Sequence, residues 1–288
     1  MQRTHKPFIT EPGAYPDLAE NVYHADPVIG GSLSSTGAKQ LTKSPAHYRH
    51  YADVGMAPRT AFDRGHVIHK ELLGEGADYA VLGFDSWRSK EAQAQRDAAR
   101  AHGKIPILDK DFQPLLEIAN FVMDDPHVGP WFTGKGRSEL SIFHKNPEFG
   151  VWMRGRIDRV IERDGETVLI DVKTTADADP ALFGRTAAKF GYDLQMAWYT
   201  TIWEALHPGQ SIRFLHVLVG LDEPHTLSVV ELDDDFKFTG EQLMNRALER
   251  YAECQRTGQW PGYVTATPQL IGPPIYHINQ FDDEEIEI

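Results

Sequence analysis

Two aspartates and a lysine lie where a predicted β-hairpin would bring them together. The dipeptide Asp164-Gly165 is typical of a two-residue hairpin turn. If the turn pairs its two flanking residues, counting outward places Asp158 directly opposite Asp171 on one face of the sheet. Lys173 lies two residues further along and shares that face. A bulge in either strand would break this register.

Facing carboxylates repel each other and destabilise a sheet unless something neutralises them. A divalent cation would do so, and hard oxygen ligands suit Mg²⁺ or Mn²⁺. A lysine beside such a pair can position a water molecule or stabilise phosphate charge, which predicts phosphodiester hydrolysis. The alternative is a solvated hairpin face with ordinary charges. Apolar neighbours favour a site beside the core: Ile157, Val160, Leu169, Ile170 and Val172.

The elements around this hairpin predict an α/β fold with a mixed central β-sheet flanked by helices and a helical N-terminal part. Hydrophobic periodicity and turn residues predict the individual elements. The predicted helices cover 35–52 (capped by Ser34 or Ser35 and interrupted by Pro45), 58–75, 86–102, 111–124, 190–206 and 240–257. The predicted strands cover 138–145, 150–162, 166–173, 212–220 and 226–232.

These elements predict one large domain with two flanking segments. The domain covers 32–265, with a helical part at 32–130 and a sheet core at 138–257. An extended arm at 1–31 precedes it, and an acidic tail at 266–288 follows it. No stretch of the sequence is apolar enough to span a membrane. The N-terminus lacks the apolar core of a signal peptide, and Cys254 is the single cysteine, so we expect a cytoplasmic protein.

Net charge makes the chain a poor overall match for nucleic acid. The total is −13, of which −2 falls in residues 1–144 and −11 in residues 145–288. A local basic surface therefore remains open in the first half. The basic run of 88–104 is either a solvated helix face or a wall that follows a phosphate backbone.

Several motifs appear in a fixed order along the chain. They are Ser34-Ser35-Thr36-Gly37, Lys43-Ser44-Pro45-Ala46-His47, Gly65-x-x-x-His69, Asp158 with Asp171-Val172-Lys173, and Tyr192-x-x-Gln195-x-x-x-Tyr199. From about residue 22 to residue 260 the chain resembles the PD-(D/E)xK nucleases, and within them the RecE-type exonucleases (the exonuclease VIII group). Two departures from the generic signature are Ile157 in place of proline and Asp171 in place of glutamate.

The resemblance implies roles for individual residues. Asp158 and Asp171 would ligate Mg²⁺, with the carbonyl of Val172 as a backbone ligand. Lys173 would position the attacking water, and His69 would add a ligand from the N-terminal helical part. Glu139 matches an acidic position of the family and would assist a second metal ion; the alternative is an exposed strand residue.

The resemblance and the predicted register also suggest contacts with DNA. Gln195, with Tyr199 one helical turn later, would contact a DNA phosphate or support the site; the alternative is that both cap and pack their helix. Arg154 and Arg156 crowd the hairpin, and the register places Arg156 opposite Lys173. Two opposed cations suggest that an anion, the scissile phosphate, belongs between them.

The resemblance implies a Mg²⁺-dependent exonuclease (with Mn²⁺ as a substitute) that degrades linear double-stranded DNA in the 5′→3′ direction and leaves 3′ tails for recombination. It also implies a ring-like homo-oligomer, a trimer or tetramer, and a single-strand annealing recombinase as partner. Two alternatives stay open. One is a single-strand or structure-specific endonuclease of a related branch, although one cysteine cannot hold the iron–sulfur cluster common there. The other is a catalytically silent DNA-binding scaffold.

Overall fold

A seven-stranded sheet runs through the structure, which is a computed structural model that describes residues 9–55, 60–264 and 267–279. Its strands are β1 (Gly13–Tyr15), β2 (Leu33–Ser34), β5 (Arg137–Lys145), β6 (Trp152–Arg163), β7 (Glu166–Thr175), β8 (Ile212–Gly220) and β9 (Leu227–Val230). The order is β1-β5-β6-β7-β8-β9, with β2 beside β6. Strands β7 and β8 are parallel, as are β2 and β6, and the other pairs are antiparallel. The predicted mixed sheet is thus confirmed.

Helices cover both faces of this sheet, and a small parallel sheet of β3 (Tyr79–Leu82) and β4 (Ile105–Leu108) lies apart from it. The helices are α1 (Glu20–His24), α2 (Ser35–Lys43), α3 (Pro45–Val54), α4 (Thr60–Leu73), α5 (Lys90–Ala101), α6 (Asp109–Asp124), α7 (Gly129–Thr133), α8 (Pro180–Phe190), α9 (Tyr192–Leu206), α10 (Asp234–Thr257) and α11 (Ile275–Asn279). No described helix has the length and apolarity needed to cross a membrane.

Two hydrophobic layers sandwich the sheet. On one face, Trp198 and Trp203 of α9 pack with α2, α10 and the inward side chains of β5 and β6. On the other face, α4, α6 and α7 pack against apolar side chains of β7 and β8. Each sheet face buries apolar side chains, and this burial is the main force that holds the strands in place.

The β6–β7 hairpin forms as the turn residues predict. Asp164 and Gly165 both have positive φ, 53° and 84°, as a type I′ turn requires. Arg163 pairs with Glu166, and the ladder continues to Arg159 opposite Ile170.

Serine side chains start the first two long helices, and the first of these caps was predicted from the sequence. Ser34 Oγ accepts a hydrogen bond from the Gly37 amide at the start of α2. Ser44 Oγ does the same for His47 in α3, where Pro45 is the first helical residue. The predicted interruption at Pro45 is therefore a junction between two helices.

The predicted extended arm is wrong for the described part of residues 1–31. Strand β1 extends the main sheet beside β5, and helix α1 follows it. Apolar side chains hold this segment down, because Tyr23 and Val28 pack with Phe143 of β5. The predicted helix at 190–206 begins only at Tyr192, since Gly191, with a φ of 65°, separates it from α8. Residues 280–288, in the predicted acidic tail, lie outside the described residues.

Candidate active site

Four titratable side chains form a row across neighbouring strands. The pairs Ser138–Arg159 and Leu140–Ile157 flank Glu139 and Asp158 and so place those two opposite each other. The β6–β7 ladder ends one position before Asp158 and Asp171, and the same register places these two carboxylates next to each other. Asp171 pairs directly with His216 of β8. The facing carboxylates predicted from the hairpin are therefore joined by a third, Glu139.

Glu139 has an unusual backbone conformation. Its φ of 48° lies in the left-handed region, which a non-glycine residue in a strand rarely adopts. Backbone strain of this kind costs about 1–3 kcal/mol and is concentrated at functional sites. The side chain accepts a hydrogen bond from Arg156 Nε at 2.7 Å. Burial and the nearby charge of Asp158 raise the pKa of Glu139 to about 7.

Asp158 lies at the centre of the row. Its Oδ2 accepts a hydrogen bond from the Val172 amide at 2.7 Å, which locks the carboxylate between β6 and β7. Burial and the charge of Asp171 raise the pKa of Asp158 to about 7. Glu139 and Asp158 thus both hold protons more tightly than free carboxyl groups do. This indicates that the nearby positive charges do not balance the negative charge of the carboxylates.

His69 reaches the Asp158 carboxylate from α4, in the helical layer that also contains α6 and α7. Gly65, one turn earlier in α4, allows the close approach, because a Cβ there would lie 3.0 Å from Thr174 Oγ1 of β7. His69 Nε2 lies 3.0 Å from the Val172 carbonyl oxygen, and Nδ1 lies 3.7 Å from Asp158 Oδ2. Burial and the Lys173 charge lower the pKa of His69, which favours the neutral ring that ligates metals. In the motif Gly65-x-x-x-His69, the glycine thus lets α4 pack closely on β7, and the histidine one turn later reaches Asp158.

His69, Glu139 and Asp158 form a candidate metal centre. One donor atom from each lies within 4.8 Å of the others. One imidazole nitrogen and two carboxylate oxygens suit a divalent cation such as Mn²⁺ or Mg²⁺. The raised pKa values of both carboxyl groups support this assignment, because a cation would remove the repulsion that raises them. The residues present therefore fit a divalent metal.

Asp171 lies beside this group and is held by other partners. Its side chain is 2% exposed; Oδ2 lies 2.5 Å from Lys173 Nζ, and Oδ1 accepts a hydrogen bond from Gln195 Nε2 at 2.6 Å. Burial opposes ionisation, but the charge and hydrogen bond of Lys173, together with other basic groups nearby, outweigh it and lower the pKa of Asp171 overall. Asp171 therefore carries a full charge that faces both the lysine and the cluster around Asp158.

The two predicted DNA-contact arginines are engaged within the protein. Arg154 forms an ion pair with Asp26 at 2.7 Å, and Arg156 donates to Glu139 and to the carbonyl oxygen of Leu18. Both guanidinium groups lie over the ring of Tyr23, at 5.6 and 5.5 Å from its centroid. The segment that contains α1 therefore covers both arginines.

The prediction that Arg156 lies opposite Lys173 is wrong. The described β6–β7 ladder contains no pair of Arg156 with Lys173. The β6–β7 ladder ends at Arg159, and further along β6 the neighbour is β2, which pairs with it at Met153 and Arg154. The two cations have separate carboxylate partners, so no anion is needed between them.

Gln195 and Tyr199 lie on the α9 face that packs on the sheet. Gln195 is 8% exposed and contacts Asp171 as described. Tyr199 is 6% exposed, and its ring packs so closely on Gly155 of β6 that a Cβ there would lie 2.8 Å from it. The described contacts favour a supporting role for Gln195 and a packing role for the Tyr199 ring.

Two residues near the site escaped the sequence analysis. Lys39 of α2 donates to Gln195 Oε1 at 3.0 Å, and its only sequence signal is its place two residues after the Ser34-Ser35-Thr36-Gly37 motif. His216 is fully buried, and its Nε2 lies 3.9 Å from Asp171 Oδ2. Burial lowers the pKa of His216 to about 4, so the ring is neutral. No sequence pattern marks His216, because it lies in an apolar strand.

A cleft leads from solvent to the candidate metal centre. Its inner part, about 230 Å³, is lined by all three candidate ligands and by α1. It continues into an outer part of about 1030 Å³, since Thr36, Tyr51 and His66 line both. Arg100 and Lys104 lie at the outer part, although Arg100 is paired with Asp63 at 2.7 Å. The candidate metal centre is thus accessible from solvent along this cleft.

Comparisons with known proteins concern the family and the fold of the chain. The family model described as "PDDEXK-like domain of unknown function (DUF3799)" matches residues 34–267. The structure is similar to that of a "Putative exonuclease" from Eubacterium rectale, with a TM-score of 0.57 and 13% identity over 94% of this chain and 99% of that chain. At this identity the likeness concerns the fold alone. A "phage related exonuclease" from Haemophilus somnus 129PT matches with a TM-score of 0.32 and 14% identity, over 79% of this chain and 96% of that chain. Among curated proteins, none matches the chain.

Proposed function

Because the chain belongs to the PDDEXK-like family whose model spans residues 34–267, we propose that it is a metal-dependent nuclease that hydrolyses phosphodiester bonds of DNA. The observation that carries the proposal is the convergence of His69, Glu139 and Asp158 beside an ion pair of Asp171 and Lys173. A silent scaffold has no physical need for three adjacent carboxylates, which destabilise the sheet that carries them.

Each residue has a role in this proposal. His69, Glu139 and Asp158 would hold the divalent cation, Mg²⁺ or Mn²⁺, with Asp171 and the Val172 carbonyl as neighbouring oxygen donors. The cation supplies Lewis-acid stabilisation of phosphate charge and acidifies water. Lys173, fixed by Asp171, orients the attacking water and donates to a phosphate oxygen.

The finer proposal is an exonuclease that acts on linear double-stranded DNA in the 5′→3′ direction and leaves 3′ single-stranded tails for recombination. Its support is the ordered set of motifs shared with the RecE-type exonucleases. The same resemblance supports a ring-shaped trimer or tetramer and a single-strand annealing recombinase as partner. Light scattering of the purified protein tests the ring, because a monomer would contradict it.

The test of function is digestion of linear duplex DNA labelled at one 5′ or one 3′ end, with Mg²⁺ or with EDTA. We expect Mg²⁺-dependent release of the 5′ label and no cutting of covalently closed circular duplex. Asp171→Ala should abolish the activity, whereas Asp235→Ala, at an exposed position in α10, should retain it.

The other outcomes distinguish the alternatives. Cutting of closed circles would assign the protein to the endonucleases, and release of the 3′ label first would reverse the polarity. A folded protein that cuts no DNA with Mg²⁺ or Mn²⁺ would refute the nuclease proposal. Titration calorimetry adds a second criterion. A nuclease should bind Mg²⁺ at this site and lose that binding in Asp158→Asn, whereas a silent scaffold should show no such binding.

A further inference from the structure

Two lysines from distant parts of the chain donate to the same amide oxygen. Lys39 Nζ lies 3.0 Å from Gln195 Oε1, and Lys173 Nζ lies 3.4 Å from the same atom. The opposite end of this amide, Nε2, donates to Asp171 Oδ1 at 2.6 Å. Gln195 thus connects Lys39 to the carboxylate that holds Lys173.

The Lys39 side chain packs against the junction of α8 and α9. Its methylene groups pass over Gly191, where an added Cβ would lie 3.4 Å from Lys39 Cγ. Its ammonium group lies 5.1 Å from the ring centroid of Tyr192, and that of Lys173 lies 4.6 Å from the same ring. Lys39 therefore reaches Gln195 past the junction of α8 and α9, with its ammonium group beside the Tyr192 ring.

Placing two ammonium groups here is unfavourable for stability. Burial and the charge of Lys173 lower the pKa of Lys39 to about 7. Both lysines also approach the first turns of α9, where the helix dipole disfavours cations. Arrangements that oppose stability in this way are expected at functional sites.

We propose that Lys39 is a positioning residue of the active site, which acts by fixing the orientation of the Gln195 amide. This inference rests on the proposed nuclease function. The oxygen and nitrogen ends of an amide have nearly the same shape, so the neighbouring groups decide which way it faces. The ionised Asp171 carboxylate only accepts, and both lysines donate through their N–H groups, so Nε2 faces Asp171 and Oε1 faces the two lysines. Lys39 thereby holds Asp171, and through it Lys173, in the reactive arrangement.

The experiment compares Lys39→Met, Gln195→Ala and the double variant by cleavage kinetics on DNA. Methionine is also unbranched and is only one heavy atom shorter, and it removes the donor. We expect Lys39→Met to lower kcat about 10- to 100-fold, as is typical of residues that orient a catalytic ligand, with KM unchanged. In the Gln195→Ala background the same substitution should have almost no further effect. Lys43→Met is the matched control, since Lys43 lies exposed near the end of the same helix and should retain full kcat.

Specific outcomes would overturn the inference. A raised KM with unchanged kcat would make Lys39 a DNA-binding residue. Losses that multiply in the double variant would show that Lys39 acts independently of Gln195, and an unchanged kcat would show no role. If Lys39→Met does not fold, Lys39→Arg and Lys39→Gln replace it, and only the arginine variant, which keeps the charge, should retain most of kcat.

A second measurement separates this inference from the proposed function. If the wild-type protein cuts no DNA, the nuclease proposal fails. Urea unfolding of the wild type, Lys39→Met, Gln195→Ala and the double variant still tests the contact. Lys39 and Gln195 should then show non-additive effects on the free energy of unfolding. Additive effects would refute the positioning contact itself.

Discussion

The substitution Asp158→Asn should stabilise the metal-free protein while it removes metal binding. The pKa of Asp158 is raised from 3.8 to about 7 by burial and by Asp171. The folded state therefore holds a proton that the unfolded chain releases, so wild-type stability falls as pH rises from about 4 to about 7. Asparagine is neutral at every pH, and its side-chain oxygen can still accept the hydrogen bond from the Val172 amide.

The pKa difference sets the size of the effect. At about 1.4 kcal/mol per pH unit, ionised Asp158 costs the folded state at most about 4 kcal/mol at pH 8. The side chain is 15% exposed and shares its repulsion with neighbouring carboxylates, so we expect a gain of about 2 kcal/mol. At pH 5 the gain should shrink to less than half of this value, because Asp158 is then protonated in the folded state.

The assay is urea unfolding in EDTA at pH 5, 6, 7 and 8, with Asp222→Asn at an exposed position as the matched control. Addition of Mg²⁺ or Mn²⁺ at pH 8 should raise the stability of the wild type and leave Asp158→Asn unchanged. A variant less stable than the wild type at pH 8, or a gain independent of pH, would refute the reasoning that this carboxylate carries uncompensated charge.

Three further predictions concern the same region. Lys173→Met should lower DNA cleavage about a hundredfold or more without changing the circular dichroism spectrum, and an active variant would exclude a catalytic lysine. His69→Ala should reduce the rise in melting temperature that Mn²⁺ produces in the wild type, and an unchanged rise would remove His69 from the ligands. Gly155→Ala should cost about 1–3 kcal/mol, because the added Cβ would meet the Tyr199 ring at 2.8 Å. Gly184→Ala, which has open space in α8, should cost nothing in the same denaturation assay.

The part of the site that local chemistry specifies could be predicted from the sequence. Asp164-Gly165 adopts the expected turn, and the hairpin register that brings Asp158 towards Asp171 follows from it. His69 and Glu139 were expected from a family resemblance, and the structure brings both to Asp158. Their roles as metal ligands stay predictions until a metal titration tests them.

The predictions were wrong where two segments that are far apart in the sequence pack together. The pairing of Arg156 with Lys173 fails because β2, more than a hundred residues earlier in the chain, takes the neighbouring place beside β6. The N-terminal segment looked like an extended arm since it is rich in proline, glycine and polar residues. A few apolar side chains such as Tyr23 are enough to dock it against β5. Neither pairing leaves a periodic signal in the sequence.

The sequence by itself determined most of the long helices and strands, the hairpin and the types of side chain at its centre, because turn preference and hydrophobic periodicity act over a few residues. Only the tertiary structure decided which side chains share the site. Lys39 and Gln195 are 156 residues apart, and the packing of α2 beside α9 brings them together. His69 meets Asp158 because Gly65 lets α4 approach β7. Such contacts depend on how separate elements pack, and packing is decided by the whole hydrophobic core.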